Sequence, residues 1–137
     1  MPLIFKNFGV EKLEYLADNS QSNKNFKLRP KLECGVFKSS KDNKKFQVQL
    51  GITIGDKKLT NYDFYTYVKI LGNFEIRSEI EDDKIEEDTI KEAISILFPY
   101  LRSIVSDLTS KGNKKPIVLP PINVNDLMNQ VISEGEK

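Results

Sequence analysis

Histidine and tryptophan are absent from this 137-residue chain, and cysteine occurs once. Without histidine there is no imidazole acid or base, no Ser-His triad and no histidine metal ligand. A single cysteine excludes a disulfide framework. Cys34 falls on the apolar parity of an alternating stretch, which reads as a buried structural thiol and not a nucleophile. The seven glycines are scattered and form no phosphate-cradling loop. Carboxylates are plentiful, but nothing in their spacing sets two across a pocket for hydrolysis. No apolar run is long enough to cross a bilayer. The first residues lack the charged region and apolar core of a secretory signal. These absences predict a cytoplasmic protein that is no enzyme, takes no cofactor and does not insert in a membrane.

What is present is 39% apolar and 30% charged, the balance of a globular chain with one modest core. Its net charge of +1 hides an asymmetry. Residues 1–78 hold 14 Lys/Arg against 8 Asp/Glu, whereas residues 79–92 hold 2 against 8. The basic excess is spread over strands and turns, as on a solvated face. It lacks the clustered cations and stacking aromatics of a nucleic-acid site. No nucleic-acid partner is expected. The acidic run, EIEDDKIEED, lacks the Asp/Asn/Gly spacing of a calcium loop. Its last members, Glu86, Glu87 and Asp88, suit the positive pole of a following helix.

Four strands precede that helix. In Leu3 to Tyr15, Phe8 and Val10 share one parity and Leu13 and Tyr15 the other. A bulge near Glu11 would restore a common face. In the second strand, Phe26, Leu28, Leu32, Cys34 and Val36 alternate with charged residues, so one face is buried. Pro30 interrupts it and argues for an edge position or a bulge. SSKDNK (Ser39 to Lys44) then reads as a hairpin loop. Phe46, Val48, Leu50, Ile52 and Ile54 repeat the alternation in the third. The fourth, Asp63 to Arg77, is apolar on both faces. Its even positions include Val68 and Ile70; Tyr65, Tyr67 and Leu71 line the odd face. Such a strand is central or meets a partner.

Ile90, Ile94, Leu97, Leu101, Ile104 and Leu108 form one helical stripe. Pro99 interrupts it and predicts a kink or a junction between helices. Lys111-Gly112 suits the helix end. Ile117–Leu119 lies between prolines and should be extended. Asn123 is an N-cap candidate for a short second helix carrying Leu127, Met128 and Val131. Ser133 to Lys137 reads as a frayed polar tail. The expectation is a single α+β domain over residues 1–137, a four-stranded antiparallel sheet followed by two helices.

The stretch Leu97 to Leu127, LFPYLRSIVSDLTSKGNKKPIVLPPINVNDL, resembles the SecB-type protein-export chaperones in its LFPY helix segment, its Ser/Lys-Gly stop and its proline-bounded run. The resemblance implies that strand one lies beside strand four and that the chains assemble as a dimer of dimers, a homotetramer. It implies a holdase, working without ATP, that binds unfolded polypeptides or preproteins. Some relatives guard one client, such as an antitoxin, which is the alternative function. A small-ligand or nucleic-acid binding α+β domain is the reading from another class. Groove candidates are Phe8, Tyr65, Tyr67, Leu71, Ile117, Val118 and Leu119. Candidates for the oligomer interface are Thr66, Val68, Ile70, Leu97, Leu101, Ile104 and Leu108. In export-type members, acids on the first and fourth strands dock the zinc-bearing tail of the motor SecA. The corresponding positions here, Lys12, Leu16, Tyr65 and Tyr67, are not acidic, so the resemblance implies SecA as a partner of weak affinity at most.

Overall fold

The structure is a computed structural model. It describes residues 3–17, 30–59, 64–77, 85–111, 117–119 and 124–127, with the backbone of 128 and 132–136. Alternating sequence becomes strand at β1 (Leu3–Ala17), β2 (Lys31–Lys38), β3 (Lys45–Gly55) and β4 (Phe64–Ile76). These four pair antiparallel in the order β1-β4-β3-β2, which puts the first strand beside the fourth. A short β5 (Ile132–Glu136) adds to β2 in parallel, so the expected frayed tail is instead a fifth strand over these residues.

The register of β1 on β4 shifts at two places, Phe5/Asn7 and Val10/Lys12. The second is the bulge expected near Glu11; the first, around Lys6, is additional. Each inserts one unpaired residue and so flips the parity that follows. As a result Phe5, Phe8, Val10, Leu13 and Tyr15 pair with Phe74, Gly72, Ile70, Val68 and Thr66, all on one face. Directly opposed residues share a face.

One helix, α1 (Glu87–Thr109), covers that face. Glu87 and Asp88 sit in its first turn, where carboxylates offset the amide dipoles. Pro99 does not divide it: the helix continues through the proline as one element, so no helix-to-helix junction forms. Its stripe of Ile90, Ile94, Leu97, Leu101, Val105 and Leu108 packs on Val48, Leu50, Ile52, Ile54, Val68 and Ile70. A Cβ on Gly72 would lie 2.9 Å from the Leu97 side chain, so glycine there lets the helix approach β4. A short α2 (Val124–Met128) adds Leu127 to the core. Gly112, the flanking prolines 116, 120 and 121, and Asn123 lie outside the described residues, as do Phe26, Leu28 and most of the acidic run.

Candidate functional site

The two faces of the sheet differ in chemistry. On the outer face, opposite α1, the odd residues of β4 stand in transverse rows with residues of β1, β3 and β2. Tyr67 shares a row with Glu14 and Thr53, and its hydroxyl donates to Glu33 Oε1, 2.5 Å away on β2. Glu33 reaches it by crossing β3 at Gly51, where a Cβ would overlap the Glu33 side chain. Tyr65 is only 9% exposed, and its hydroxyl donates to Glu14 Oε1 at 3.3 Å. Burial, then the Glu14 charge and the hydrogen bond to it, raise the Tyr65 pKa. Burial, the bond to Glu33 and the nearby charges of Glu33, Tyr65 and Glu14 raise that of Tyr67. Lys12 lies 5.6 Å from the centre of the Tyr67 ring and 3.8 Å from Glu14; Lys57 is 3.7 Å from Glu14.

Sequence parity marked Tyr65 and Tyr67 as apolar groove surface. In the structure they are hydroxyl anchors in a polar network, because β1 and β2 bring a carboxylate to each. Leu71 is half-buried in the same face, between Gly9 and Gln49. Glu11, in the bulge, accepts from Gln49 Nε2 at 2.9 Å. The positions matched to motor docking therefore carry no acid of their own, yet Glu14 lies directly among them on this face.

The apolar surface lies elsewhere. Helix positions 96, 100 and 104 fall on one flank of α1, one turn apart. That flank leans on edge strand β1: the Tyr100 ring packs tilted against those of Phe8 and Phe5, with centroids 4.6 and 5.6 Å away. Past Phe8 the cover over this face of β1 is uneven: Tyr15 still packs against the core. Val10 is 48% and Leu13 51% exposed, although both point to the face that is core elsewhere. Tyr100 is 41% exposed, and Ile96 and Ile104 are half-buried. Together they make an apolar strip along an edge strand whose outer hydrogen-bonding side is unpaired among the described residues. Leu16, 43% exposed, extends the apolar surface of β1 onto its other face.

The other flank of α1 holds Ser106 and Thr109. Ser106 Oγ donates to the Ile117 carbonyl and the Ile117 N–H donates to Thr109 Oγ1, each at 2.9 Å. These bonds dock the 117–119 run on the helix. They split the three residues sequence reasoning had grouped: Leu119 is core, Ile117 is half-buried and Val118 is 72% exposed.

Six of the seven interface candidates fall in the protomer's own core. Thr66, Val68, Ile70, Leu97, Leu101 and Leu108 are buried, and Thr66 Oγ1 donates to the Glu14 carbonyl at 2.8 Å. Only Ile104 keeps surface. Apolar parity identifies a buried face but does not say whether the same chain or another covers it. Val10, Leu13, Leu16 and Tyr100 were not among the groove or interface candidates; the bulge at Glu11, which turns Leu13 to the helix side, was the available signal. Cys34 is buried, and burial pushes its thiol up to about 12, which keeps it protonated and inert.

A polar outer face, a helix-covered inner face and an exposed apolar edge describe a binding scaffold. No helix of the described residues is long and apolar enough to cross a membrane. The chain matches the family described as preprotein translocase subunit SecB over residues 10–134. It belongs to that family, whose members are chaperones and not catalysts. It is 30% identical to the uncharacterised protein MJ0357 of Methanocaldococcus jannaschii over 128 residues, covering 92% of this chain and 82% of that one. With the protein-export protein SecB of Methylococcus capsulatus it is 29% identical, covering 96% and 89%. With that of Orientia tsutsugamushi strain Boryong it is 31% identical, covering 74% of this chain and 62% of the relative. Its fold is that of the Mycobacterium tuberculosis SecB-like chaperone Rv1957, solved with a peptide of the HigA1 antitoxin. The TM-score is 0.69 at 13% identity, covering 88% of this chain and 90% of that one.

Proposed function

We propose that this chain is an ATP-independent holdase that keeps unfolded polypeptides, preproteins among them, from aggregating in the cytoplasm. The observation that carries this reading is the apolar strip of Phe8, Val10, Leu13, Tyr100 and Ile104, with Val118 exposed on the other flank of α1. Unfolded segments offer scattered apolar side chains and free backbone. A binder without a fixed sequence preference needs apolar surface and an open strand edge to receive them. Exposed apolar area on an edge strand also favours self-association. The assembly expected is a homotetramer, a dimer of dimers formed through β1 and the adjoining flank of α1. Strip and interface share residues, so assembly and client binding are coupled on one surface.

A second reading is a guardian dedicated to one client. It is favoured by the likeness of the fold to a SecB-like chaperone that was solved with an antitoxin peptide. Affinity for a SecA tail is expected to be weak. Lys12 and Lys57 lie beside Glu14, while Glu33 is engaged by Tyr67.

The test is dilution of a chemically unfolded protein into buffer with and without this chain, in the absence of nucleotide. Slowed aggregation is the expected result; unchanged aggregation at molar excess of the tetramer contradicts the reading. A pull-down from native cytosol separates the two readings. Many unrelated unfolded chains indicate general service, and one dominant small protein indicates a guardian.

A further inference from the structure

The outer face holds a second feature, away from the apolar strip and at the opposite end of the sheet from Tyr65. Asn7, Asn73, Gln47 and Phe37 stand in one row across β1, β4, β3 and β2. Three of them are amides joined head to tail. Gln47 Nε2 donates to Asn73 Oδ1 at 2.9 Å, and Asn73 Nδ2 donates to Asn7 Oδ1 at 2.7 Å. Each amide uses one N–H at most in this chain of bonds. Gln47 keeps its carbonyl oxygen and every amide keeps an N–H for another partner.

This row floors a cleft of about 660 Å³. Phe37 closes its β2 end, and Lys45, Lys6 and Glu75 line its side. Lys6 is paired with Glu75 at 3.4 Å, and Lys45 stands opposite Glu75 in the register without closing an ion pair to it. The cleft therefore presents donors, an acceptor and one more cation than anion, from Lys6 and Lys45 against Glu75.

Four strands about 4.8 Å apart give the row a length of about 14 Å, enough for about four residues of extended chain. Amide side chains offer both donors and acceptors, as a peptide backbone does, and can satisfy it without reading sequence. The bonds within the row fix the amides in place before anything binds, which lowers the ordering cost. Lys45 adds a preference of sign.

We propose that this cleft is a second polypeptide site, which holds a short extended segment through its backbone and favours an acidic side chain against Lys45. The inference rests on the holdase reading for its occupant, an unfolded polypeptide. The apolar strip would take the hydrophobic parts of such a chain and the cleft an acidic flanking segment.

The probe is a fluorescein-labelled peptide of alternating Thr and Val with one central Glu, titrated with the full chain and followed by anisotropy. It should bind about fivefold tighter than the same peptide with Lys in place of Glu. Lys45→Gln should remove that preference. Asn73→Leu, which breaks the amide row, should weaken both peptides about fivefold while leaving the circular dichroism spectrum unchanged. Equal binding of the two peptides, or no effect of either substitution, overturns the proposal. So does competition by free glutamate at the peptide's own concentration, which would make this a small-carboxylate site. Aggregation suppression is measured on the same samples. Suppression without peptide binding defeats the cleft alone; peptide binding without suppression leaves the cleft and defeats the holdase reading.

Discussion

The inner and outer faces of the sheet are written in the same alternating residues, yet they end in opposite states. On the inner face Val48, Leu50, Ile52, Ile54, Val68 and Ile70 are fully buried under α1. On the outer face the same strands present amides, carboxylates and two tyrosine hydroxyls that bond to one another across strands. The apolar face is closed within one chain almost everywhere. Among the described residues it stays open only along β1, where Val10 and Leu13 emerge. The apolar surface that remains available to other molecules is therefore an edge, not a face.

The largest effect should come from the inner face. Leu97 is fully buried over Gly72, so Leu97→Ala leaves a cavity between helix and sheet. It should cost about 3 kcal/mol, read as a lower midpoint in urea unfolding. A loss below about 1 kcal/mol would mean that α1 is held mainly by something other than this stripe.

The edge should respond differently. Val10→Asp with Leu13→Asp touches side chains that are about half exposed in the protomer. We expect a folded chain of lower mass by light scattering, because like charges would face each other across any interface built on β1. An unchanged mass of the assembly would move the interface away from this strip.

The outer face should show a smaller change with a pH signature. Tyr67→Phe removes the bond to Glu33 and should cost about 1 kcal/mol near neutral pH. Both outer-face tyrosines have pKa values raised in the folded state. A raised pKa means that the native state holds the proton more tightly than the unfolded chain. The contribution is complete below the ordinary tyrosine value of about 10 and is lost as pH rises through the raised one. Unfolding midpoints of the wild type should therefore fall above about pH 10, and less steeply in Tyr67→Phe.

Cys34 should show a change no larger than that of Tyr67→Phe. With the thiol pushed up to about 12 by burial, a bulky thiol reagent should label the native protein far more slowly than the unfolded chain. Cys34→Ala should cost roughly 1 kcal/mol and leave client binding intact. Labelling at the unfolded rate would contradict the burial.

Much of this fold was legible because local pattern and tertiary environment agree. The alternation of Phe46 to Ile54 marked β3 to within a residue at each end, and the parity change after Val10 marked the bulge at Glu11. The stripe from Ile90 to Leu108 located α1, but Pro99 left open a junction between two helices that does not form. The strand at Ile132–Glu136 was missed because a polar five-residue segment has no periodic signal; its pairing with β2 supplies the order. The site was less legible. Apolar character on the odd face of β4 could not reveal Glu14 and Glu33, which come from strands 51 and 34 residues away in the chain. Nor could the amide row be seen, since Asn7, Gln47 and Asn73 meet only through the register of three strands.

The central claim is that unfolded chains are held by exposed apolar side chains at the rim of α1. Val118 tests it most directly, because it is 72% exposed on a run docked by the bonds of Ile117 to Ser106 and Thr109. The measurement is light scattered by a chemically unfolded protein diluted, without nucleotide, into wild type or Val118→Asp at equal chain concentration and equal mass of the assembly. The account predicts that wild type suppresses aggregation and that Val118→Asp suppresses it less, at unchanged unfolding midpoint. Equal suppression by the two would remove the 117–119 run from the client surface, and no suppression by wild type would contradict the account itself.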